Sequence, residues 1–281
     1  MFGAIAFLVV LTIPEVINNH AFRIWSHHPL DNHFVAGTVP QLRSLTSGPN
    51  PLGTLLSVFA ALVVLQVKNT IWRYCLLAVT GIASGLTYAR SAWLGTAVMG
   101  AGVFIKSLRT KKIIYWPLFL GLFILVGTAL GAVRYHTPIS DILLHGKSTE
   151  SHGVTAAKAI QSETKQFALT VVGYGIGTAG PVVYGTPLEN TGKYPTITES
   201  WYLQLIQEIG LIGIILYGWL YYGLIRSLFK QDSNSIVGWL AIGLAVNAVF
   251  LHTWSSDANL NLMFWALAGL TLFSRPTKQL A

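Results

Sequence analysis

Seven hydrophobic stretches, separated by loops whose basic residues sort onto alternate sides, constrain this 281-residue chain more than any other feature. They cover residues 52–66, 71–88, 92–105, 113–133, 201–225, 236–251 and 259–273, and a shorter stretch, 2–13, precedes them. A helix crosses the hydrocarbon core with about 20 mostly apolar residues, or about 17 when its flanks help. In lipid the backbone polar groups must pair within the segment, which selects helices over irregular spans. The chain therefore reads as an all-α integral membrane protein, with one transmembrane domain over 1–281 and a polytopic bundle of about 8 spans. Charged residues make up only 10% of it, where a soluble domain carries about 25%. Its 27 glycines suit close helix packing, because small residues let backbones approach.

The loops assign the two sides. One set of segments holds Lys68, Arg73, Lys106, Arg109, Lys111, Lys112, Arg226, Lys230, Arg275 and Lys278 against a single acid, Asp232, and nets +9. The alternate segments hold Arg23, Arg43, Arg90, Arg134, Lys147, Lys158, Lys165 and Lys193, matched by eight acids, and net 0. Glu208, inside a span, completes the formal +8. Excess Lys and Arg marks cytoplasmic loops, so the first set and the C-terminus are expected in the cytoplasm. The basic balance thus reflects topology, and no nucleic-acid partner is expected. The single Cys75 excludes an intrachain disulfide. The stretch 2–13 has no basic residue before it and no evident cleavage site. It reads as a shortened first span rather than a signal peptide.

Two loops on the outer side are long, 18–50 and 134–200. The second, of about 67 residues, exceeds a mere connection, since loops beyond about 15 residues are usually functional or disordered. Within it Val154, Ala157, Ile160 and Phe167, with Lys158 and Lys165 between, predict a helix on the membrane surface. A glycine-rich run follows, Gly173-Tyr174-Gly175-Ile176-Gly177-Thr178-Ala179-Gly180. Its literal G-x-G-x-x-G is followed by Pro181 and a poor helix former, against a dinucleotide site. Tight turns at Gly175 and Gly177, with backbone amides turned to an anion, are the expectation.

Three further outer features carry polar chemistry. Arg43 precedes Gly48-Pro49-Asn50-Pro51-Leu52-Gly53, where Asn50 is expected to cap a helix beginning at Pro51. Arg90 stands alone between two apolar helices, either as a snorkelling end-charge or as an anion site facing a cavity. Glu199-Ser200 precedes Trp201-Tyr202-Leu203-Gln204, where capping or helix-dipole placement competes with a chemical role. His20, His27, His28 and His33 cluster without zinc spacing, His152 opens the surface helix, and His252 lies near Asp257. No metal site is read.

In these residues the chain resembles the bacterial O-antigen ligase and polymerase superfamily of polytopic glycosyltransferases. The resemblance runs from about Arg43 to the C-terminus. It rests on the order of Arg43 with Gly48-Pro49-Asn50-Pro51-Leu52-Gly53, Thr87-x-x-Arg90-Ser91-Ala92, a long outer loop, Gly173-x-Gly175-x-Gly177-Thr178, and Glu199-Ser-Trp-Tyr-Leu-Gln with Glu208-Ile-Gly. It implies a GT-C-like helical fold on the bacterial cytoplasmic (inner) membrane, with its active site facing outward. The donor is an undecaprenyl diphosphate-linked oligosaccharide, the acceptor a hydroxyl on a glycan or lipid, and no cofactor or metal is used. Read onto this chain, Arg90 and Arg43 bind the diphosphate and Glu199 or His152 is the base. Asn50, Tyr202, Gln204, Gly175 and Gly177 support the site. The chain departs from the commoner pattern in having Glu199-Ser200 where many ligases show His-Asn, and His152 where many show an Arg. About eight spans where about twelve are usual lead us to expect a missing N-terminal portion. Polymerisation by the same chemistry, or carriage of lipid-linked sugars, are the alternatives.

Overall fold

The computed structural model describes residues 34–35, 39–40, 48–109, 115–143, 154, 156–157, 160–161, 167–179, 200–231, 235–251 and 258–273. The opening stretch 2–13, Arg43, His152 and Glu199 lie outside them. We label the helices α1 (Pro49–Gln66), α2 (Thr70–Thr87), α3 (Arg90–Arg109), α4 (Trp116–Arg134), α5 (Ile139–Leu143), α6 (Phe167–Val172), α7 (Trp201–Gln231), α8 (Ile236–Asn247) and α9 (Ala258–Phe273). A two-residue antiparallel pair, Phe34–Val35 with Val39–Pro40, precedes them. Val154, Ala156, Ala157, Ile160 and Gln161 are also helical, within the segment expected to form the surface helix.

Four of these helices are long and apolar enough to cross a membrane: Pro49–Gln66, Arg90–Leu108, Trp116–Arg134 and Trp201–Gln231. Large apolar side chains face outward along them, among them Leu118, Leu122 and Leu125 of α4 and Ile215, Trp219 and Leu220 of α7. Apolar faces of that extent are a liability in water and a requirement in lipid. The chain is a helical membrane protein.

Helix α1 forms the centre. Every residue from Leu52 to Val63 is buried, with Phe59 and Val58 fully enclosed. It begins at Pro49, with Gly48 before it and no side-chain cap. This corrects the expectation that Asn50 caps the helix. Pro49 lacks an N–H and its ring presets a helical φ, so the helix starts two residues earlier than predicted. Asn50 instead lies in the first turn, and its carbonyl accepts from Thr54 Oγ1 at 3.0 Å.

Around α1 the helices run in register with glycine contacts. Gly53 of α1 touches Ala89 and Ala92, so α1 and α3 share an end. Helices α2 and α4 lie parallel, Gly81 against Phe123 and Gly85 against Gly127 and Thr128. Gly95 of α3 meets Gly243 and Asn247 of α8. At the opposite end Gln231 donates to the Leu272 carbonyl at 3.0 Å, joining the last turns of α7 and α9. That end carries Lys68, Arg73, Lys106, Arg109, Arg226 and Lys230, and the other carries Arg90 and Arg134. Consecutive long helices therefore alternate in direction, and these basic residues fall at the ends to which charge sorting assigns them.

The long helix α7 is not one straight span. Gly210 has φ 68° and ψ −174°, a conformation essentially restricted to glycine. In an unbroken helix Trp201 and Tyr217 would stand about 24 Å apart, yet their ring centroids are 6.4 Å apart. The chain folds back at Gly210. Residues 211–231, roughly 31 Å of helix at 1.5 Å per residue, suffice to cross a bilayer. Residues 201–209 form a short arm laid antiparallel to the start of that span. The apolar stretch 201–225 hid this break, because Gly210 sits inside an apolar run.

Candidate functional site

The described candidate residues gather at the Arg90 end of the bundle. Arg90 opens α3 after Tyr88, which adopts the left-handed conformation at φ 53°. Thr87 fixes this turn: its fully buried hydroxyl donates to the Ser84 carbonyl at 2.7 Å and accepts from the Ala89 amide at 3.2 Å. Trp93 Nε1 donates to the same Ser84 carbonyl at 2.8 Å. The Thr87-x-x-Arg90 spacing is thus a turn-building device that presents a half-buried guanidinium at the helix start. Beside it, Tyr88 is enclosed against Gly131 of α4. Burial, and then the neighbouring Tyr135, push the Tyr88 phenol up to about 12, so it stays protonated at neutral pH.

Helix α8 ends deeper than its neighbours. Asn247 Nδ2 donates to Thr54 Oγ1 at 2.8 Å, and Thr54 lies roughly 8 Å along α1 from Pro49. Below it the Ser57 and Thr96 hydroxyls bond to each other between α1 and α3. The arm of α7 closes the exposed end of α8. The Trp201 amide donates to the Ala248 and Leu251 carbonyls at 3.0 and 3.2 Å. The Tyr202 phenol donates to the Ala245 carbonyl at 2.9 Å. Tyr202 therefore serves the end of α8 with its proton. Ser200, the chain neighbour of Glu199, sits at the foot of this arm, and its carbonyl accepts from the Gln204 amide at 3.0 Å.

From Trp201 the arm climbs about 10 Å to Glu208. Gln204, Gln207 and Glu208 are all buried on it, with relative exposures of 2%, 1% and 8%. Their i, i+3, i+4 spacing puts them on one face. The break at Gly210 removes the helical donors that the carbonyls of Gln207 and Glu208 would otherwise meet. The glycine-rich run replaces them: Tyr174 donates to the Gln207 carbonyl at 2.7 Å and Gly175 to that of Glu208 at 3.0 Å. Gly173 and Gly210 make this approach possible. A Cβ on Gly173 would lie 2.5 Å from the Glu208 carbonyl carbon, and one on Gly210 would lie 2.6 Å from the Gly173 amide nitrogen. The Gly175 amide is thus committed to α7 rather than turned to an anion. Thr178 closes the turn back to the Gly175 carbonyl, and Gly177, at φ 80°, lies in open space beside the exposed Ile176.

Sequence reasoning gave Glu208 no role. Its signal was a carboxylate within an otherwise apolar helix, where ionisable residues are costly and functional by default. Among the described residues no group of three or more His, Cys, Asp or Glu could hold a metal ion. Of the two arginines and the two base candidates the structure describes Arg90; Arg43, His152 and Glu199 lie outside the described residues. No protein-family model, curated protein or solved structure matches the chain.

Proposed function

We propose that this protein transfers a glycan from undecaprenyl diphosphate to an acceptor hydroxyl on the outer face of the bacterial cytoplasmic membrane. In this reading it is an O-antigen ligase-like enzyme of about eight spans and GT-C-like architecture, with the Arg90 end outward and the C-terminus cytoplasmic. The observation that carries the reading is the gathering of polar features at one end of an apolar bundle: Arg90, Asn50, Gln204 and the glycine-rich run, opposite the lysine-rich end. A carrier would instead concentrate polar groups at the midplane, whereas the break at Gly210 and its hydrogen bonds lie toward the Arg90 end of the bundle.

The chemistry needs a held leaving group and a base. Arg90 and Arg43 hold the departing diphosphate, since a guanidinium pairs with phosphate oxygens bidentately and stays charged. Glu199, or else His152, accepts the proton of the acceptor hydroxyl. That oxygen then bonds to the anomeric carbon as the bond from carbon to the diphosphate oxygen breaks, and the electron pair leaves with undecaprenyl diphosphate. Loss of a general base typically costs about 10²–10⁴-fold in rate.

The test is transfer of a glycan from a lipid diphosphate donor to a lipid or glycan acceptor by protein purified into nanodiscs. Arg90→Ala and Glu199→Ala are each expected to lose most transfer while inserting normally. Wild-type-like transfer by either variant removes that residue from the mechanism, and no transfer by the unsubstituted protein with any acceptor removes the enzyme reading.

A further inference from the structure

The buried polar face of the α7 arm ends in a connection that leads out of the helix. Gln204 Nε2 donates to Glu208 Oε1 at 3.0 Å and, over a longer 3.4 Å, to the Ala179 carbonyl of the glycine-rich run. A main-chain carbonyl only accepts hydrogen bonds, so the Ala179 side requires the amide nitrogen rather than the oxygen. Glu208 Oε1 accepts from that same nitrogen, so Glu208 and Ala179 together hold the Gln204 carboxamide in one orientation. The same run is held by its Tyr174 and Gly175 amides on the carbonyls of Gln207 and Glu208. The carboxylate is thus joined to the loop twice, once through its own main chain and once through the side chain of Gln204.

Resting on the transfer reading above, we propose that Glu208 is a positioning residue. Acting through Gln204, it fixes the glycine-rich run 173–179 against the break in α7 and so shapes the end of the bundle where transfer occurs. The carboxylate holds an amide rather than exchanging a proton with substrate. The function needs an acceptor oxygen at this place and not a negative charge. Glutamine supplies that oxygen and alanine does not.

The test combines hydrogen exchange with transfer kinetics, using full-length protein in nanodiscs. Glu208→Ala and Gln204→Leu are each expected to speed exchange of the Tyr174 and Gly175 amides by about tenfold or more, as local opening becomes easier. Both should raise KM for the lipid-linked donor more than they lower kcat. Glu208→Gln should restore wild-type exchange and kinetics. Unchanged exchange in both Glu208→Ala and Gln204→Leu overturns the proposal. So does a Glu208→Gln variant as impaired as Glu208→Ala, since that outcome makes the charge itself the agent. Should Glu208→Ala fail to insert, Gln204→Leu and Glu208→Gln decide the matter. The exchange arm does not depend on activity, so a protein that catalyses no transfer but shows this exchange pattern refutes the enzyme reading while keeping the positioning role.

Discussion

Glycine brings two backbones together in two regions of this protein, to different ends. Along the α2–α4 seam, Gly81 packs on Phe123 and Gly85 on Gly127 within regular helices, and a Cβ on Gly81 would lie 2.7 Å from Phe123 Cβ. No positive φ occurs there. The seam is helix against helix, lined by small residues and helped by Thr128 bonding back to the Ile124 carbonyl at 2.9 Å. At the α7 break, Gly173 and Gly210 both have positive φ, a loop meets a helix, and the gap is filled with main-chain hydrogen bonds beside buried Gln and Glu side chains. The first region secures the bundle by packing alone. The second leaves polar groups at a defined place, which packing alone does not require.

Substitutions can separate the two. Gly210→Ala combines a glycine-only conformation, costing about 1–3 kcal/mol, with a collision against the backbone of the run. It should abolish nearly all transfer and expose 171–179 to exchange while leaving helix content by circular dichroism unchanged. If transfer persists, the break is not part of the site. Gly85→Ala, whose Cβ would lie 2.8 Å from the Thr128 amide nitrogen, should lower thermal stability in detergent by about 1–3 kcal/mol, as overpacking does. Transfer measured well below the melting range should fall far less than with Gly210→Ala. Equal losses would show that the two glycine regions serve the same end. Gly218→Ala, with open space around its Cβ, should be neutral or stabilising by about 0.5–1 kcal/mol. A smaller effect belongs to Tyr88. Its phenol is raised from 10.0 to about 12, so it favours the folded state up to about pH 10 and that contribution is lost as the pH climbs toward 12. Tyr88→Phe should remove this part of the alkaline loss in a melting-temperature series from pH 9 to about 12.

Much of the bundle was legible in the sequence because lipid imposes one demand, continuous apolar length, that a single chain displays openly. The stretch 71–88 became Thr70–Thr87, and 259–273 became Ala258–Phe273. Charge sorting likewise assigned Lys68 and Lys230 to one end and Arg90 to the other. Less was legible where one residue changes the path. Gly210 lies among Ile209, Leu211 and Ile212, and hydropathy does not report its φ. Pro49 started α1 ahead of the expected Asn50 cap because two prolines compete for the first turn. At the site, the motif Glu208-Ile-Gly shows a carboxylate in an apolar run but not that it accepts from Gln204. Nothing in the sequence says that the run at Gly173 lies on the carbonyls of Gln207 and Glu208, a contact between segments more than thirty residues apart.

The arm of α7 has a consequence for how the protein is made. Helix α8 stops short, and three carbonyls in its last turn and just beyond it, at Ala245, Ala248 and Leu251, receive donors from Trp201 and Tyr202. Those donors emerge from the ribosome some forty residues earlier, before anything exists for them to bind. During synthesis the arm lacks these acceptors until α8 has been made, and the end of α8 gains its donors by docking on the arm. The two segments form one insertion unit, and biogenesis at this corner is a late event that follows completion of α8.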